Sequence, residues 1–203
     1  VSLILNIETA TQVCSVGVSR QGETIALKES DEKNIHAARV TLFAEEVCRQ
    51  AGLKMDELTA VAVSMGPGSY TGLRIGVSAA KGFCYGLDIP LIAVPSLQAM
   101  AYGARLTVME NGYPEGDILF CPMIDARRME VYTALYDHEG IMVRDTEAMI
   151  VGEGSFANER EDHTICFFGD GAEKCKNVFD HKRMIFLEGN FNSAVNVAVL
   201  AHR

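Results

Sequence analysis

Residues 65–72, MGPGSYTG, combine three glycines with a proline directly after the apolar run VAVSM. A glycine-rich turn between a strand and a helix can bind phosphate, because backbone N–H groups at the helix N-terminus face the anion. A Walker A loop is excluded, since no lysine follows before Lys81. The dinucleotide fingerprint G-x-G-x-x-G is excluded too, because Gly66, Gly68 and Gly72 are spaced G-x-G-x-x-x-G.

Two interpretations of this loop remain open from the residues alone. In the first, Ser69 or Thr71 caps the following helix, whose free amides contact an anion. In the second, the glycines only permit a sharp turn and close packing of that helix.

The hydrophobic pattern predicts the elements that must position the loop. Period-two and apolar runs indicate strands, and i, i+3, i+4 spacing indicates helices. The predicted strands are 2–8, 12–19, 23–30, 58–65 and 90–94, and the predicted helices are 36–51 and 70–87. The order βββαβαβ is typical of a mixed sheet covered by helices, as in the ribonuclease-H-like and actin-like ATPase (ASKHA) folds.

The second half of the chain repeats this pattern in a shorter form. MIDARRMEVYTALYDHEG matches NIETATQVCSVGVSRQG, since Glu8 and Asp125 each end an apolar run and Gly22 and Gly140 close the hairpins that follow. Weaker echoes are EAMIV, TICFFGDGAEKC and RMIFL, and the last residues, FNSAVNVAVLAHR, favour a helix. We therefore predict an α/β protein of two duplicated βββαβα lobes, residues 1–105 and an abbreviated lobe, 106–203.

Composition limits the classes of function. The chain has 203 residues, a hydrophobic fraction of 48% and a net charge of -9 without a Lys/Arg cluster, which argues against autonomous nucleic-acid binding. No apolar run is long enough to cross a membrane, and the N-terminus lacks a basic leader, which favours a cytoplasmic protein. The six cysteines are far apart, so neither a disulfide framework nor a zinc site is expected.

Acidic residues at strand ends suggest the remains of an ATPase cleft. Actin-like ATPases place carboxylates there around magnesium and phosphate, with a glycine after the acid so that the backbone approaches the phosphate. In this sequence Thr9 follows Glu8, and Arg127 stands two positions after Asp125, so side chains obstruct that approach. We predict no catalytic residue, metal or cofactor, and a vestigial cleft of Glu8, Thr9, Gly66, Gly68, Ser69, Asp125 and Arg127.

Several segments together resemble the TsaB (YeaZ) family. They are ILNIETAT, HAARVTLFAEEVCRQAGL, AVSMGPGSYTGLRIGVSAAKGF, IPLIAVPSLQAMA, MIDARRMEVYTALY and FFGDGAEKC. The resemblance implies an actin-like fold and a subunit that is not itself the catalyst. The family pairs with TsaD, which transfers a threonylcarbamoyl group to the adenosine next to the anticodon of tRNA, and with the ATPase TsaE.

Three features of the sequence bear on that resemblance. The catalytic relative holds its metal with an H-x-x-x-H pair, whereas in this chain His36 is followed by Val40 at the fourth position. Glu8 stands where the family more often has aspartate. The sequence ends at AHR without the Tyr- and Arg-containing tail usual in the family, so the second lobe is expected to be incomplete.

Function is then expected on the two helices, which are apolar on more than one face. The resemblance implies that they join helices of TsaD, or of a second copy in a homodimer, with tRNA contacted only through the complex. The predicted interface is His36, Val40, Phe43, Ala44, Val47, Leu73, Arg74, Val77, Ala80 and Cys84. A charge at Val40, Phe43 or Val77 is predicted to abolish the complex and leave the chain folded.

Other interpretations stay open. Both helices could be entirely internal core helices. The chain could be a homodimeric scaffold whose partner is only itself, or a stand-alone ATP-dependent carbamoyl- or phosphotransferase of the same fold. The last requires magnesium-dependent nucleotide turnover by the purified chain.

Overall fold

The computed structural model describes residues 1–32, 36–111, 118–179 and 181–203. Two compact units divide the chain, the first made of residues 1–99 and 192–203 and the second of residues 100–191. The predicted lobes, 1–105 and 106–203, differ from these units mainly at the C-terminus, since residues 192–203 lie in the first unit.

Each half of the described chain begins with three consecutive strands, after which helices or 3-10 turns alternate with single strands. The strands are β1 (Leu3–Glu8), β2 (Cys14–Arg20), β3 (Glu23–Ser30), β4 (Ala60–Ser64), β5 (Leu91–Val94), β6 (Ile118–Asp125), β7 (Glu130–Tyr136), β8 (Met142–Ile150), β9 (Thr164–Phe168) and β10 (Met184–Phe186). The helices are α1 (His36–Gln50), α2 (Tyr70–Leu87), α3 (Ser96–Glu110), α4 (Glu159–Asp162) and α5 (Ala194–His202), with 3-10 turns at Met55–Glu57 and Glu173–Cys175.

The first unit is built on a mixed sheet of order β3-β2-β1-β4-β5. β1, β2 and β3 pair antiparallel, while β1, β4 and β5 pair parallel. Parallel neighbours require crossover helices, and α1 and α2 supply them. Their apolar faces form one core with β1, β2 and β4, in which Leu5, Val16 and Val61 are fully buried.

The second sheet repeats the first. Its order, read from the antiparallel edge, is β8-β7-β6-β9-β10, with β6 and β9 parallel and β6, β7 and β8 antiparallel. The predicted duplication and α/β fold class are therefore confirmed. The crossovers are shorter, since the four-residue α4 and a 3-10 turn stand where the first unit has helices of 15 and 18 residues.

The C-terminal helix α5 packs on the first sheet rather than on the second. The Ala194 amide at its start donates to the Ser15 hydroxyl on β2 at 2.8 Å, and Val197 is fully buried against Ile4 and Val94. This contact explains the difference from the predicted boundary, because α5 covers a face that the N-terminal strands leave open.

Two further findings concern the helices. The sequence pattern does not predict α3, which follows the glycine loop and β5. Among the described residues, none of the helices combines the length and the apolar character that a membrane crossing requires.

Candidate functional site

The glycine loop ends in a capped helix. The Ser69 hydroxyl accepts the Gly72 amide at 3.2 Å, and the Ser69 carbonyl accepts the Leu73 amide at 2.9 Å. A serine side chain at the N-cap satisfies an amide that has no partner within the helix. Of the two predicted capping residues, Ser69 therefore occupies the cap and Thr71 lies within the first turn of α2.

Three glycines of this region bring α2 against the turn that follows β1. A Cβ atom at Gly68 would overlap the Ala10 carbonyl, one at Gly72 the Thr9 carbonyl, and one at Gly76 the Thr9 hydroxyl. The glycines stand four residues apart, so those of α2 line one face of the helix. This geometry supports the second interpretation of the loop, close packing of the helix on its neighbour.

Glu8 is the buried acid at the end of β1. Its side chain is fully buried, and Oε1 accepts the Ala10 amide at 2.6 Å. Burial raises the pKa of Glu8 to about 7, against the opposing hydrogen bonds from the Ala10 backbone, the Ser64 side chain and the Thr9 backbone. Oε2 has no hydrogen-bond partner among the described residues.

The turn after β1 does not fit a phosphate or a magnesium ion. A phosphate needs free amides, but the Thr9 amide donates to Ser64 Oγ at 3.3 Å and the Ala10 amide donates to Glu8. A magnesium ion would need a carboxylate that reaches solvent, and Glu8 has no exposed surface. The acid and both amides thus bond to protein atoms inside the fold.

The equivalent turn after β6 is held by an ion pair. Lys174 contacts the Asp125 carboxylate and donates to the Glu130 carbonyl at 2.7 Å. Desolvation raises the pKa of Asp125, but the hydrogen bond and charge of Lys174, together with Arg127, hold it below its ordinary value. Arg127 and Arg128 both have positive φ, 72° and 47°. Because Lys174 already neutralises the acid, this turn does not fit a magnesium site either.

The predicted cleft residues therefore fall into two groups. Those of the β1 turn and the glycine loop lie together in the first unit, and the Ser69 amide donates to the Ala10 carbonyl at 2.6 Å. Asp125 and Arg127 lie in the second unit, where the Arg127 amide donates to Asp125 Oδ1 at 3.0 Å.

Most of the predicted interface residues belong to the core of the first unit. The buried ones on the two helices are Val40, Phe43, Ala44, Val47 and Ala80. His36 is buried as well, with Nε2 at 3.2 Å from the Val13 carbonyl. These side chains face the sheet because their spacing forms the apolar stripe of each helix, so burial leaves them little surface to offer a partner. Val40 is the one of them that also lines the groove between the two helices.

The other predicted interface residues lie nearer the surface. Val77 and Cys84 are partly buried against the same core, and Leu73 is also partly buried. Arg74 is exposed, with its guanidinium 5.2 Å from the centre of the Tyr70 ring and a 3.2 Å hydrogen bond to the Tyr70 hydroxyl.

A different set of residues forms the outer face of these helices. Along α2 five of the exposed side chains follow a spacing of four, four, three and four. They are Tyr70, Arg74, Ser78, Lys81 and Tyr85, which we call the α2 stripe. Tyr70 is 75% exposed and Tyr85 93% exposed. The 3.6-residue period of these positions could have identified the stripe from the sequence, but the apolar stripe gave the stronger signal.

A groove of about 480 Å³ runs between α1 and α2 beside the α2 stripe. Ala37 and Thr41 line it from α1, and Tyr70, Ile75 and Ala79 line it from α2. Leu42 on α1, 45% exposed, lies on the outer part of the same helix pair. An exposed surface with two tyrosines, an arginine and aliphatic side chains has the composition of a protein-binding surface rather than of a catalytic site.

Comparison with known proteins agrees with the fold and with the sequence motifs. Residues 30–159 match the family model of TsaD, tRNA N6-adenosine threonylcarbamoyltransferase. The TsaB protein of Bacillus subtilis is 32% identical over 186 residues, which are 90% of this chain and 74% of that protein. The TsaB protein of Escherichia coli is 36% identical over 153 residues, 74% of this chain and 63% of that protein.

Solved structures show the same architecture. YeaZ from Pseudomonas aeruginosa has a TM-score of 0.75 at 23% identity and is matched over 99% of this chain and 91% of that one. The activator of 2-hydroxyisocaproyl-CoA dehydratase from Clostridium difficile, solved with bound ADPNP, has a TM-score of 0.53 at 11% identity, with 98% of this chain and 94% of that chain covered.

The two repeated sheets with their crossover helices define an α/β protein of the actin-like ATPase fold. Within that class, the chain belongs to the TsaB family, whose curated members are tRNA threonylcarbamoyladenosine biosynthesis proteins. The match spans between about half and three quarters of the length of those relatives, 51% of the Haemophilus influenzae protein and 74% of the Bacillus subtilis protein.

Proposed function

We propose that the chain is a non-catalytic subunit that docks a TsaD-type threonylcarbamoyltransferase through the α1–α2 face. The observation that carries the proposal is the α2 stripe, in which exposed Tyr70 and Arg74 line the groove and Tyr85 stands exposed farther along the helix. The docked TsaD-type protein then modifies the adenosine next to the anticodon of tRNA.

Side-chain chemistry supports docking at this face. Tyrosine and arginine are enriched among the residues that dominate binding energy, because they bury large areas and keep a polar group for hydrogen bonding. The Tyr70–Arg74 contact restrains both side chains before binding, so less rotamer freedom is lost on docking.

The shape of the helix pair supports a helical partner. Gly82 and Gly86 lie on the exposed part of α2, and a Cβ atom at either position would meet nothing within 4 Å. Small residues let another helix approach closely. Two helices of the partner laid against α1 and α2 would complete a four-helix bundle.

The two acidic turns support a role without catalysis. The Ala10 amide is bonded to Glu8, and Asp125 is paired with Lys174, so the groups that an ATPase of this fold uses for phosphate and magnesium are occupied by protein atoms. The TsaD family model matches the region that carries α1 and α2, so the partner is expected to be a relative with similar helices.

The wider proposal concerns the assembly. A TsaE-type ATPase joins the complex, tRNA is contacted only through it, and the isolated chain forms a homodimer on the same face until the TsaD-type partner replaces the second copy. The proposal places this assembly in the cytoplasm.

The test is co-elution with the TsaD-type protein of the same genome in size-exclusion chromatography, with affinity from titration calorimetry. Two charge changes on the stripe, Arg74→Glu and Tyr85→Asp, are expected to weaken binding at least 100-fold together, about 3 kcal/mol, and to leave the circular dichroism spectrum unchanged. Arg20→Glu is the matched control, because Arg20 is an exposed arginine at the end of β2.

Unchanged affinity of the double variant would contradict docking at this face. A wild-type chain that elutes as a dimer and never shifts with the partner would favour the homodimeric scaffold. Magnesium-dependent release of phosphate from ATP by the purified chain would contradict the non-catalytic role.

A further inference from the structure

A continuous set of hydrogen bonds joins a buried acid to the first turn of α2. The Ala10 amide donates to Glu8 Oε1 at 2.6 Å, the Ser69 amide donates to the Ala10 carbonyl at 2.6 Å, and the Gly72 amide donates to Ser69 Oγ at 3.2 Å. We call this set the Glu8 path. It ends within the turn that carries Tyr70 and leads to Arg74.

The residues around the Glu8 path are closely packed. Gly68 and Gly72 lie directly on Ala10 and Thr9, without room for a Cβ atom. A displacement of the β1 turn is therefore passed to the N-terminus of α2 rather than absorbed by loose packing.

The carboxyl of Glu8 fits this place in its neutral form. It is fully buried, and Oε2 has no partner among the described residues, so the cost of burying a negative charge exceeds what the hydrogen bonds from Ala10, Ser64 and Thr9 return. If Glu8 is charged, opening of the turn after β1 stabilises it, because water then reaches Oε2. Opening of that turn breaks the hydrogen bond from the Ser69 amide to the Ala10 carbonyl.

We propose that the Glu8 path couples the protonation of this buried carboxyl to the first turn of α2, so that partner docking on the α2 stripe weakens when Glu8 loses its proton. The part that concerns docking rests on the function proposed above. The part that concerns the turn stands on the chain alone.

Other ionisable groups on the neighbouring strands do not account for such an effect. β4 carries none, and Ser64 is its polar residue near Glu8. On β2, burial raises the pKa of the Cys14 thiol to about 11, so it stays neutral at physiological pH, and Arg20 pairs with Leu3 at the opposite end of β1.

On α1, His36 is buried and its Nε2 lies 3.2 Å from the Val13 carbonyl, in the turn before β2, and Glu8→Gln separates its effect from that of Glu8. The groups on the remaining elements lie farther along or at the surface. Glu29 of β3 reaches Ser15, the residue opposite Glu8 in the β1–β2 register, at 2.6 Å. The ionisable residues of the α2 stripe are exposed, and burial raises the pKa of the partly buried Cys84 thiol. On α5, His202 contacts Ser2 at 3.3 Å, at the far end of β1.

Hydrogen exchange at the Ser69 and Gly72 amides, corrected for the intrinsic effect of pH, tests the coupling without a partner. The Glu8 carboxyl has a pKa of about 7 in the closed turn and an ordinary value of 4.5 when exposed. Opening is therefore expected to become about 30-fold more frequent between roughly pH 5.5 and 8.5. The Gly66 amide, bonded to Ser96 Oγ, lies off the path and serves as the internal reference.

Glu8→Gln keeps the shape of the side chain and its acceptor oxygen but removes the group that titrates. In this variant the protection of the Ser69 and Gly72 amides from hydrogen exchange should not change with pH. Glu29→Gln is the control and should behave like the wild-type chain. If the wild-type and Glu8→Gln chains show the same pH dependence at these amides, the coupling is absent. A ¹³C titration of the Glu8 carboxyl, with its midpoint near the ordinary value of 4.5, would overturn it equally.

The docking part has its own readout. Affinity for the TsaD-type partner is expected to fall between roughly pH 5.5 and 8.5 in the wild-type chain and to change less in Glu8→Gln. If amide exchange changes with the protonation of Glu8 but the affinity for the partner does not, the first turn of α2 is coupled to the Glu8 proton and docking is not. If the partner binds at neither pH, the proposed function fails while the exchange result stands.

Discussion

The hydroxyl of Ser15 accepts a hydrogen bond from the backbone amide of Ala194, 179 residues later in the chain, at 2.8 Å. The same hydroxyl donates to Glu29 Oε1 at 2.6 Å, so one buried oxygen joins β2, β3 and the start of α5. This buried polar contact helps to fix the C-terminal helix on the first sheet.

Ser15→Ala is expected to lower the free energy of unfolding by about 1 to 3 kcal/mol, because the Ala194 amide remains buried without an acceptor. Urea unfolding followed by circular dichroism measures the change. Ser30→Ala is the control, since its hydroxyl accepts an exposed 3.4 Å hydrogen bond from the Glu32 amide, and the change should cost less than about 0.5 kcal/mol. Equal losses in both variants would show that the Ser15 contact adds little.

Two glycines of α2 should respond in opposite directions to alanine. Gly76→Ala would place a methyl group on the Thr9 hydroxyl and is expected to destabilise the chain by about 1 to 3 kcal/mol. Gly82→Ala meets nothing within 4 Å and is expected to stabilise it by about 0.5 to 1 kcal/mol through helix propensity. Thermal unfolding of the two variants and the wild-type chain measures both effects. A Gly76→Ala chain as stable as the wild-type chain would contradict the close packing described for the loop.

Stability should fall as the pH rises through the range in which Glu8 titrates. The folded chain holds this proton more tightly than the unfolded chain, with a pKa of about 7 against 4.5. The contribution is fully present below about pH 4.5 and is lost as the pH approaches and passes 7, a difference of roughly 2 to 3 kcal/mol between pH 5 and 8. Urea unfolding at both pH values should show the loss in the wild-type chain and a smaller one in Glu8→Gln.

Neighbouring positions on α1 should separate folding from docking. Phe43 is 8% exposed and lies in the core. Phe43→Ala is expected to lower the free energy of unfolding by about 3 to 5 kcal/mol, and Phe43→Asp should leave the chain unfolded. Leu42, 45% exposed, should tolerate Leu42→Asp with an unchanged circular dichroism spectrum and a weakened TsaD-type complex. A folded Phe43→Asp chain would restore the prediction made from the sequence alone.

The sequence predicts the first sheet well because its signals are local. Each strand of β1 to β3 alternates or runs apolar between turn residues, and Gly22 at the β2–β3 turn has the positive φ, 84°, that the pattern indicates. The repeat of this pattern after residue 118 extended the prediction to the second sheet.

The features that local patterns missed depend on contacts far apart in sequence. α3 contains Gly103 and is buried on several sides, which blurs the helical period. α5 packs on the first sheet through residues far away in sequence, such as Ser15 and Ile4. The predicted interface residues Val40 and Phe43 are buried in the core for a related reason. Periodicity shows that a helix has an apolar stripe, but only the fold shows that this stripe faces its own sheet.

The division of the first unit into two chain segments has a consequence for synthesis. On the ribosome, the strands of the first sheet emerge long before residues 192–203, while the second unit, residues 100–191, is complete in a single stretch. The face of the first sheet that carries Ile4 and Val94 lacks the cover of Val197 during that interval. The first unit is therefore completed only when residues 192–203 have been translated, after the whole of the second unit.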